Sequence, residues 1–299
     1  KHNTMSKLTG VALTAVSGAA FGSMSILTKF VYAEGVTPTS LLLLRFSIAS
    51  LCLLPLLWWQ KLPLPRGKQL LAFIFMGGVL YTAEAQAFFI ALKYASAGLV
   101  GLLLYLFPSL VMLLSAVLFK EKITRRKLLA LSLASLGLIV TIGFDVSGQP
   151  LGIALGVLAA MLYAVYSIIG EKFGGRTHPI AAAFVVMASA AVCHIGLVAI
   201  QGWHPPQTAS GWSAMVAIAI LCTVIAIICY LAGIAIIGAT QAALVSTVEP
   251  IVTLVLAALV LGEVATPMQW LGGGLIIAGV IVLTLKIPTR RAILNEIHD

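Results

Sequence analysis

The sequence predicts an all-α protein that crosses a membrane ten times, as two inverted repeats of five helices. Three observations predict this fold class: a very apolar composition, ten apolar runs of membrane-spanning length, and a motif that recurs 142 residues further along the chain. Of the 299 residues, 61% are apolar and 9% are charged, whereas about a quarter of the residues in soluble domains are charged. The protein is therefore expected to lie in a membrane.

The apolar runs approach the roughly 20 residues that a helix needs to cross a bilayer. Continuous runs favour helices over a β-barrel, whose strands would alternate in polarity over about ten residues. A helix also satisfies its backbone hydrogen bonds within one segment, as lipid requires. The expected spans lie at about residues 9–30, 39–59, 69–91, 96–118, 126–144, 150–170, 179–200, 212–234, 240–261 and 266–286.

A proline and a glutamate recur at the same separation in two places. Residues 106–121 read LFPSLVMLLSAVLFKE and residues 248–263 read VEPIVTLVLAALVLGE, so that Pro108 aligns with Pro250. Each proline is predicted to bend its helix, because it lacks a backbone donor. The shared offset predicts two homologous repeats flanked by short tails. The repeats are expected at residues 8–145 and 150–287, and the tails at residues 1–7 and 288–299.

Each predicted repeat has five spans, which is an odd number. The second repeat must therefore enter the membrane from the side opposite to the first. Inverted repeats of this kind are a transporter architecture, in which the substrate binds near the middle of the bilayer and the two halves rock about it. The sequence thus predicts transport by alternating access.

The basic residues predict the orientation in the membrane. If the amino terminus is taken as one side, fifteen lysines and arginines lie on that side and only Lys29 and Lys93 lie opposite. By the positive-inside rule, this distribution places both termini in the cytoplasm. The net charge of +9 is then explained by topology, and no nucleic-acid partner is expected. We expect a multi-pass protein of the cell inner membrane.

The last span adds two further features. Thr266, Pro267 and Gln269 suit a helix N-terminus, and residues 271–285 read LGGGLIIAGVIVLTL. Together with the repeated spans and the proline–glutamate spacing, they resemble the EamA-type exporters of the drug/metabolite transporter superfamily over essentially the whole chain. This resemblance implies export of small metabolites. The aromatic-rich central helices are similar to those of the YddG-type amino-acid exporters.

Polar residues without a counterpart in the other repeat are candidates for the substrate site. Glu249 fits the pattern of the resembled family but aligns with Phe107 in the first repeat, and Glu84 aligns with Ala226. A charge near the bilayer centre costs about 2.5–3.5 kcal/mol on insertion scales. Both glutamates should therefore face a cavity or a partner.

Two interpretations of Glu249 stay open. In the first, it attracts a cationic or ammonium-bearing solute, helped by the Ser246 carbonyl that Pro250 leaves free. In the second, it is a structural carboxylate at a helix bend, satisfied by a hydroxyl or by a basic residue such as Lys29 or Arg45. Arg45 itself is expected to snorkel to the external interface or to pair with Glu34.

Glu84 shares a predicted helix face with two aromatic residues, because Tyr81, Glu84 and Phe88 fall at i, i+3 and i+7. It is a candidate for lining a cavity or for carrying protons. Five tyrosines lie within spans 3, 4, 6 and 8, where each hydroxyl needs a partner or water. Any one of them could simply pack, but together they favour a cavity that stacks on aromatic solutes and holds an ammonium by cation–π contact. They are Tyr81, Tyr105, Tyr163, Tyr166 and Tyr230.

Enzymatic functions lack the residues that they need. The chain has no HExxH motif and no phosphate-binding loop. Its two aspartates, Asp145 and Asp299, lie in a predicted turn and at the end of the chain, so a Ser-His-Asp triad is poorly supported. The four cysteines fall within predicted spans, where they pack as apolar residues. We expect no catalytic residue, no cofactor and no metal.

The sequence therefore predicts a secondary transporter or facilitator that exports small metabolites, with aromatic and other large neutral amino acids as the expected substrates. Efflux of lipophilic cations or drugs is the alternative, with Glu84 or Glu249 as an obligatory counter-charge. A channel is a further alternative, which saturable counterflow would exclude. The expected partners are a small-molecule substrate and membrane lipid, and the protein is expected to be a monomer.

Overall fold

The computed structural model describes residues 2–91, 93–95, 97–142, 148–175, 177–262 and 266–284. Within these residues the chain is helical apart from short connections, and its single β-pairing is an isolated bridge between Ala95 and Gly148. Glu263 of the recurring motif, Asp145 and the expected tail at 288–299 lie outside the described residues.

Helices occupy the apolar runs. Their bounds are α1 (His2–Tyr32), α2 (Pro38–Trp59), α3 (Lys68–Ala91), α4a (Ala97–Leu104), α4b (Phe107–Leu118), α5 (Arg125–Ile142), α6 (Pro150–Gly174), α7 (Pro179–Gln201), α8 (Ala209–Ile237), α9 (Ala239–Leu261) and α10 (Pro267–Thr284). Seven of them are long and apolar enough to cross a membrane within the described part of the chain: α1, α2, α3, α6, α7, α8 and α9. Helix α1 begins at His2, so residues 2–7 continue the first helix.

Proline marks the start of many of these helices. Pro38, Pro150, Pro179 and Pro267 each open a helix, where the missing N–H has no intrahelical partner to lose and the fixed φ suits the first turn. The boundaries are therefore encoded locally, and they lie within a few residues of the predicted span ends.

Helices α4 and α9 are both interrupted in the middle. A 3₁₀ turn at Ser246–Val248 separates the two parts of α9, and Pro250 is the second residue of the second part. Pro108 likewise is the second residue of α4b, after the gap that separates it from α4a. The Ser246 carbonyl accepts the backbone N–H of Glu249 in the 3₁₀ turn. The expectation that this carbonyl stays free is wrong, because the 3₁₀ turn supplies a donor.

Helices α3 and α8 each contain one π-helical turn, at Met76–Tyr81 and Ile220–Ile225. A π turn alters the backbone hydrogen-bonding pattern for one turn, and such turns are frequent at functional sites. A threonine hydroxyl donates to the carbonyl five residues earlier at each turn: Thr82, directly after the first turn, at 3.0 Å, and Thr223, within the second, at 3.1 Å.

The two halves of the chain pack against each other in reciprocal pairs. Helix α5 packs on α10 and α2 packs on α7, so that each contacts its own counterpart. Helix α1 packs on α8 and α9, and in the same way α6 packs on α3 and α4. Exchange of the two halves leaves this set of neighbours unchanged, as twofold pseudosymmetry requires.

The close contacts of two glycines, one in each half, show the same reciprocal packing. A Cβ on Gly10 would lie 2.6 Å from the Ile237 side chain at the end of α8, and a Cβ on Gly152 would lie 2.9 Å from Ala95. Gly152 and Ala95 occupy, in the other half, the positions that correspond to Gly10 and Ile237. A larger residue at either position would require these neighbours to move, so small residues let the helices approach closely.

At one end of the bundle, Glu34 ties the α1–α2 connection to the start of α8. Its carboxylate accepts hydrogen bonds from the backbone N–H groups of Gln207 at 2.9 Å and Thr208 at 3.2 Å, and from the Thr208 hydroxyl. These bonds, above all that from the Thr208 hydroxyl, hold the pKa of Glu34 below its usual range. A carboxylate at a helix N-terminus also interacts favourably with the helix dipole.

The opposite end carries a set of polar contacts that we name the α9 latch, formed by Glu121, Lys127, Glu171, Ala239 and Thr240. Glu171 accepts the backbone N–H of Ala239 at 3.0 Å. The Thr240 hydroxyl donates to Glu121 at 2.7 Å, and Glu121 also pairs with Lys127. The latch therefore ties the start of α9 to α6 and to the α4b–α5 connection.

Candidate functional site

A cavity extends from the middle of the bundle towards the end that carries the α1–α2 connection. Its empty volume, including the open mouth and the adjoining solvent, is about 870 Å³. The direction follows from its outer residues, since Thr28 is near the end of α1, Leu41 near the start of α2 and Phe89 near the end of α3. The lining is Phe21, Met24, Thr28, Leu41, Leu42, Arg45, Tyr81, Glu84, Ala85, Phe88, Phe89, Leu104, Tyr163, Tyr166, Ile227 and Glu249.

The predicted site residues divide into two groups. Those in the cavity lining are Tyr81, Glu84, Phe88, Tyr163, Tyr166 and Glu249. The other three, Tyr105, Tyr230 and Ser246, are not among the lining residues. The Tyr230 hydroxyl shares a 2.8 Å hydrogen bond with Ser167, and the Ser246 hydroxyl donates to a carbonyl of its own helix at 2.9 Å.

Arg45 is the functional candidate that the sequence interpretation missed. It neither snorkels nor pairs with Glu34, so that expectation is wrong: its side chain is 4% exposed and lies in the cavity wall. The reason is that Glu34 is already occupied by the start of α8, whereas Arg45 faces acceptors on α3 and α8. The glutamates were selected because they have no polar counterpart in the other repeat. Arg45 meets the same criterion, because it aligns with Met187.

The two π-helical turns hold the Arg45 guanidinium. Nη2 donates to the Tyr81 hydroxyl at 2.7 Å and to the Cys222 carbonyl at 3.1 Å, and Nε donates to the Thr223 hydroxyl at 2.6 Å. Tyr81 ends the π turn of α3, and Cys222 and Thr223 belong to the π turn of α8. The guanidinium also lies 5.3 Å from the ring centroid of Phe46, a cation–π distance. Three helices thus fix one buried cation.

Two carboxylates face the same cavity from other helices. Glu84 lies on α3, one turn beyond Tyr81, and Glu249 is the first residue of the second part of α9, where the helix dipole favours a negative charge. The Tyr105 hydroxyl lies beside the Glu249 carboxylate. No ion pair, defined by an N···O distance within 4.0 Å, joins Arg45 to either glutamate. The cavity therefore presents basic and acidic side chains that are not already ion-paired with each other.

A chain of aromatic rings forms the wall between these charges. The Tyr81 and Tyr166 ring centroids are 5.7 Å apart, and those of Tyr166 and Tyr163 are 6.1 Å apart. Tyr163 in turn stacks on Tyr230 at 5.9 Å and contacts Phe107 at 4.6 Å. These separations suit aromatic pairs, so the wall is a connected and rigid surface on which a flat solute could lie.

The Tyr166 hydroxyl has no hydrogen-bond partner among the described residues, although the side chain is only 2% exposed. A buried hydroxyl without a partner costs about 1–3 kcal/mol. Tyr166 as a residue lines the cavity, but its hydroxyl is itself buried, so a solute or water could reach it only after a local rearrangement.

The arrangement suits binding rather than covalent chemistry. In the part of the chain that the structure describes, no group of three or more histidine, cysteine or acidic side chains could hold a metal ion. The cavity instead offers a fixed guanidinium, two carboxylates and stacked rings. These groups can hold a small solute that carries opposite charges and an apolar or aromatic part.

The EamA-like transporter family matches the chain twice, at residues 8–143 and 150–285. An uncharacterized transporter of Bacillus subtilis, YcbK, is 28% identical over 293 residues, which cover 89% of each chain. A probable amino-acid metabolite efflux pump of Salmonella typhimurium is 28% identical over 68% of this chain and 73% of its own. The uncharacterized transporter sll1319 of Synechocystis is 25% identical, and the match spans 62% of its length.

A solved structure, described as the crystal structure of a protein, shares the fold with a TM-score of 0.82. The two chains are 20% identical, and the match covers 92% of this chain and 98% of the other. The resemblance that the sequence motifs indicated is confirmed by the two family matches, which together cover nearly the whole chain. The protein thus belongs to the EamA-like transporter family of the drug/metabolite transporter superfamily, and it is a multi-pass membrane transporter of small molecules rather than an enzyme.

Proposed function

We propose that the protein is a secondary transporter of the cell inner membrane that exports aromatic and other large neutral amino acids by alternating access. The observation that carries this proposal is the cavity, in which stacked tyrosine rings lie between a fixed guanidinium and two carboxylates. An amino acid carries one positive and one negative charge beside its side chain, and an aromatic side chain stacks well on such rings.

The proposal includes ten spans arranged as two inverted five-helix repeats at residues 8–145 and 150–287. Three observations support the repeats. The helices pack in reciprocal pairs, the glycine contacts recur at corresponding positions, and both matches to the family begin and end 142 residues apart. Because each repeat has an odd number of helices, the two would enter the membrane from opposite sides.

The orientation follows from the basic residues. With both termini in the cytoplasm, as the positive-inside rule favours, the α9 latch lies on the cytoplasmic side and the cavity opens to the outside. This is the conformation from which an exporter releases its cargo. Opening of the latch and closure of the outer end would expose the same site to the cytoplasm, as alternating access requires.

The choice of amino acids rests on the cavity and on one relative. The Salmonella typhimurium relative is named a probable amino-acid metabolite efflux pump, and the mixed charges of the cavity suit such a cargo. A second candidate is the efflux of lipophilic cations. It is favoured by one specific observation, which is that two acidic side chains and one basic side chain line the cavity, so that acidic groups outnumber basic ones.

Counterflow in proteoliposomes tests the proposal. Purified protein is reconstituted, the vesicles are loaded with unlabelled phenylalanine, and uptake of labelled phenylalanine is followed without and then with a pH gradient. Accumulation that unlabelled amino acids compete is expected, and it would also exclude a channel. No phenylalanine movement, with uptake only of a lipophilic cation such as tetraphenylphosphonium, would replace amino-acid export with the second candidate.

A further inference from the structure

We propose that Arg45 is the carboxylate anchor of the cavity, that Glu84 and Glu249 receive the ammonium group, and that the site thereby selects zwitterionic solutes. The inference rests on the proposed function, because it assigns the two polar ends of the expected amino-acid cargo to named side chains. It goes further by making Arg45 a determinant of specificity.

The Arg45 guanidinium has hydrogen-bond donors that its protein partners do not use. Arginine has five N–H donors, and Arg45 uses those of Nε and Nη2 for Thr223, Tyr81 and Cys222. No acceptor for Nη1 is found among the described residues. Since Arg45 lines the cavity, the Nη1 group is the one that an incoming carboxylate can reach.

Cross-linking of helices alone does not account for Arg45. Its three acceptors are two hydroxyls and a carbonyl, all of them neutral, so a neutral donor would serve equally well. No carboxylate among the described residues lies within ion-pair distance of Arg45, and a buried charge that is not paired at close range is costly. The carboxylate of a cargo molecule would supply that pair, and its bond to the guanidinium would be charge-assisted.

The rest of the cavity fits the other parts of a zwitterion. Glu84 lies one helical turn beyond Tyr81, whose hydroxyl holds Arg45, and Glu249 faces the cavity from α9. A molecule whose carboxylate meets Arg45 therefore has carboxylates near its ammonium. Its side chain would lie on the rings of Tyr163 and Tyr166.

The arrangement also discriminates against ligands with one charge. A purely cationic amine would leave Arg45 unpaired and would be repelled by it, while a purely anionic acid would be repelled by the two glutamates. Specificity of this kind comes from repulsion of the wrong ligand as much as from attraction of the right one. The π-helical turns hold the guanidinium in place before binding, which lowers the entropy that binding must overcome.

The test compares three ligands that share one aromatic ring: phenylalanine, 2-phenylethylamine, which lacks the carboxylate, and 3-phenylpropanoate, which lacks the ammonium. Each competes with counterflow of labelled phenylalanine, and each is also assayed by its effect on thermal unfolding of the detergent-purified protein, a readout independent of transport. The variant is Arg45→Gln, and Arg126→Gln on α5, outside the cavity, is the matched control. Tyr81→Phe serves as a second variant, since it keeps the charge but removes one of the bonds that hold it.

We expect Arg45→Gln to weaken phenylalanine binding about 10- to 100-fold, because a hydrogen bond to a charged group contributes a free energy of that size. Binding of 2-phenylethylamine should be unchanged or tighter. Tyr81→Phe should weaken phenylalanine binding in the same direction but less, and Arg126→Gln should change none of the three. Equal losses for phenylalanine and 2-phenylethylamine in Arg45→Gln, or no loss in either variant, would overturn the assignment. If the unaltered protein carries no phenylalanine at all, the failure lies with the proposed function and not with Arg45.

Discussion

The α9 latch predicts a shift between conformations when a single hydroxyl is removed. Thr240→Val keeps the shape of the side chain but deletes the hydroxyl that donates to Glu121 at 2.7 Å. Thr240 is buried, and the acceptor is a carboxylate. A hydrogen bond to a charged group contributes about 1.5–3 kcal/mol, and each 1.4 kcal/mol is about a tenfold change in an equilibrium. The conformation with an open latch should therefore become about 10- to 100-fold more populated.

The labelling rate of a buried cysteine measures this population. Ala243 lies one turn beyond Thr240 on α9 and is fully buried, so Ala243→Cys is expected to react with a membrane-impermeant maleimide only when the latch opens. With the native cysteines replaced, the rate of labelling from the latch side should rise about 10- to 100-fold in Thr240→Val, in proportion to the open population.

Thr141→Val is the matched control for this experiment. It also deletes a threonine hydroxyl, but that hydroxyl donates at 2.8 Å to a carbonyl of its own helix, that of Gly137, and so joins no two elements. Its labelling rate should stay near that of the parent. An unchanged rate in Thr240→Val, or the same increase in both variants, would refute the idea that the latch holds the cytoplasmic end closed.

Three further predictions concern other parts of the molecule. Glu84→Gln should abolish any dependence of transport on a pH gradient, while exchange persists with weaker phenylalanine binding because Glu249 still receives the ammonium group, as measured by counterflow with and without the gradient; a dependence that survives would show that Glu84 carries no protons. Gly137→Ala should lower thermal stability by about 1–3 kcal/mol through overpacking, because its Cβ would lie 2.5 Å from a carbonyl oxygen of α10, whereas Gly274→Ala meets no atom within 4 Å and should not destabilise. The pKa of Glu34 is lowered in the folded protein, so its contribution to stability is present above about pH 4.3, the usual glutamate value, and is lost as the pH falls through the lower folded value. Protection against hydrogen exchange at the start of α8, corrected for the intrinsic pH dependence of exchange, should therefore fall as the pH drops through the folded value, and Glu34→Gln should remove this loss; an unchanged profile in the variant would contradict the assignment.

The helices were largely predictable because their signals are local. The second apolar run was expected at residues 39–59 and the helix spans Pro38–Trp59, since a proline at the first turn fixes its start. Pro108 and Pro250 likewise marked the two places where helices are interrupted. In these cases the residues that determine the structure are neighbours in sequence.

The centre of the site was less predictable because its determinants are distant in sequence. The acceptors of Arg45 lie 36 residues away at Tyr81 and 178 residues away at Thr223, and neither π turn has a recognisable sequence signal. Without those partners, an arginine near the end of an apolar run is best interpreted as an interfacial residue. The tertiary packing instead brings α2, α3 and α8 together, and so places Arg45 in the wall of the cavity.

The contrast between the scaffold and the site fits what the proposed carrier with inverted repeats must do. The contacts that hold the halves together recur at corresponding positions, as Gly10 and Gly152 illustrate, and halves that pack alike favour two opposite conformations of similar energy. The cargo has no twofold symmetry, and it binds once, between the halves. A site made of symmetric pairs would offer it redundant charges, which would then be left buried and unpaired. The charged residues of the cavity should therefore be those that differ between the repeats, and this is what the sequence contains. Arg45, Glu84 and Glu249 correspond to Met187, Ala226 and Phe107, all neutral and buried.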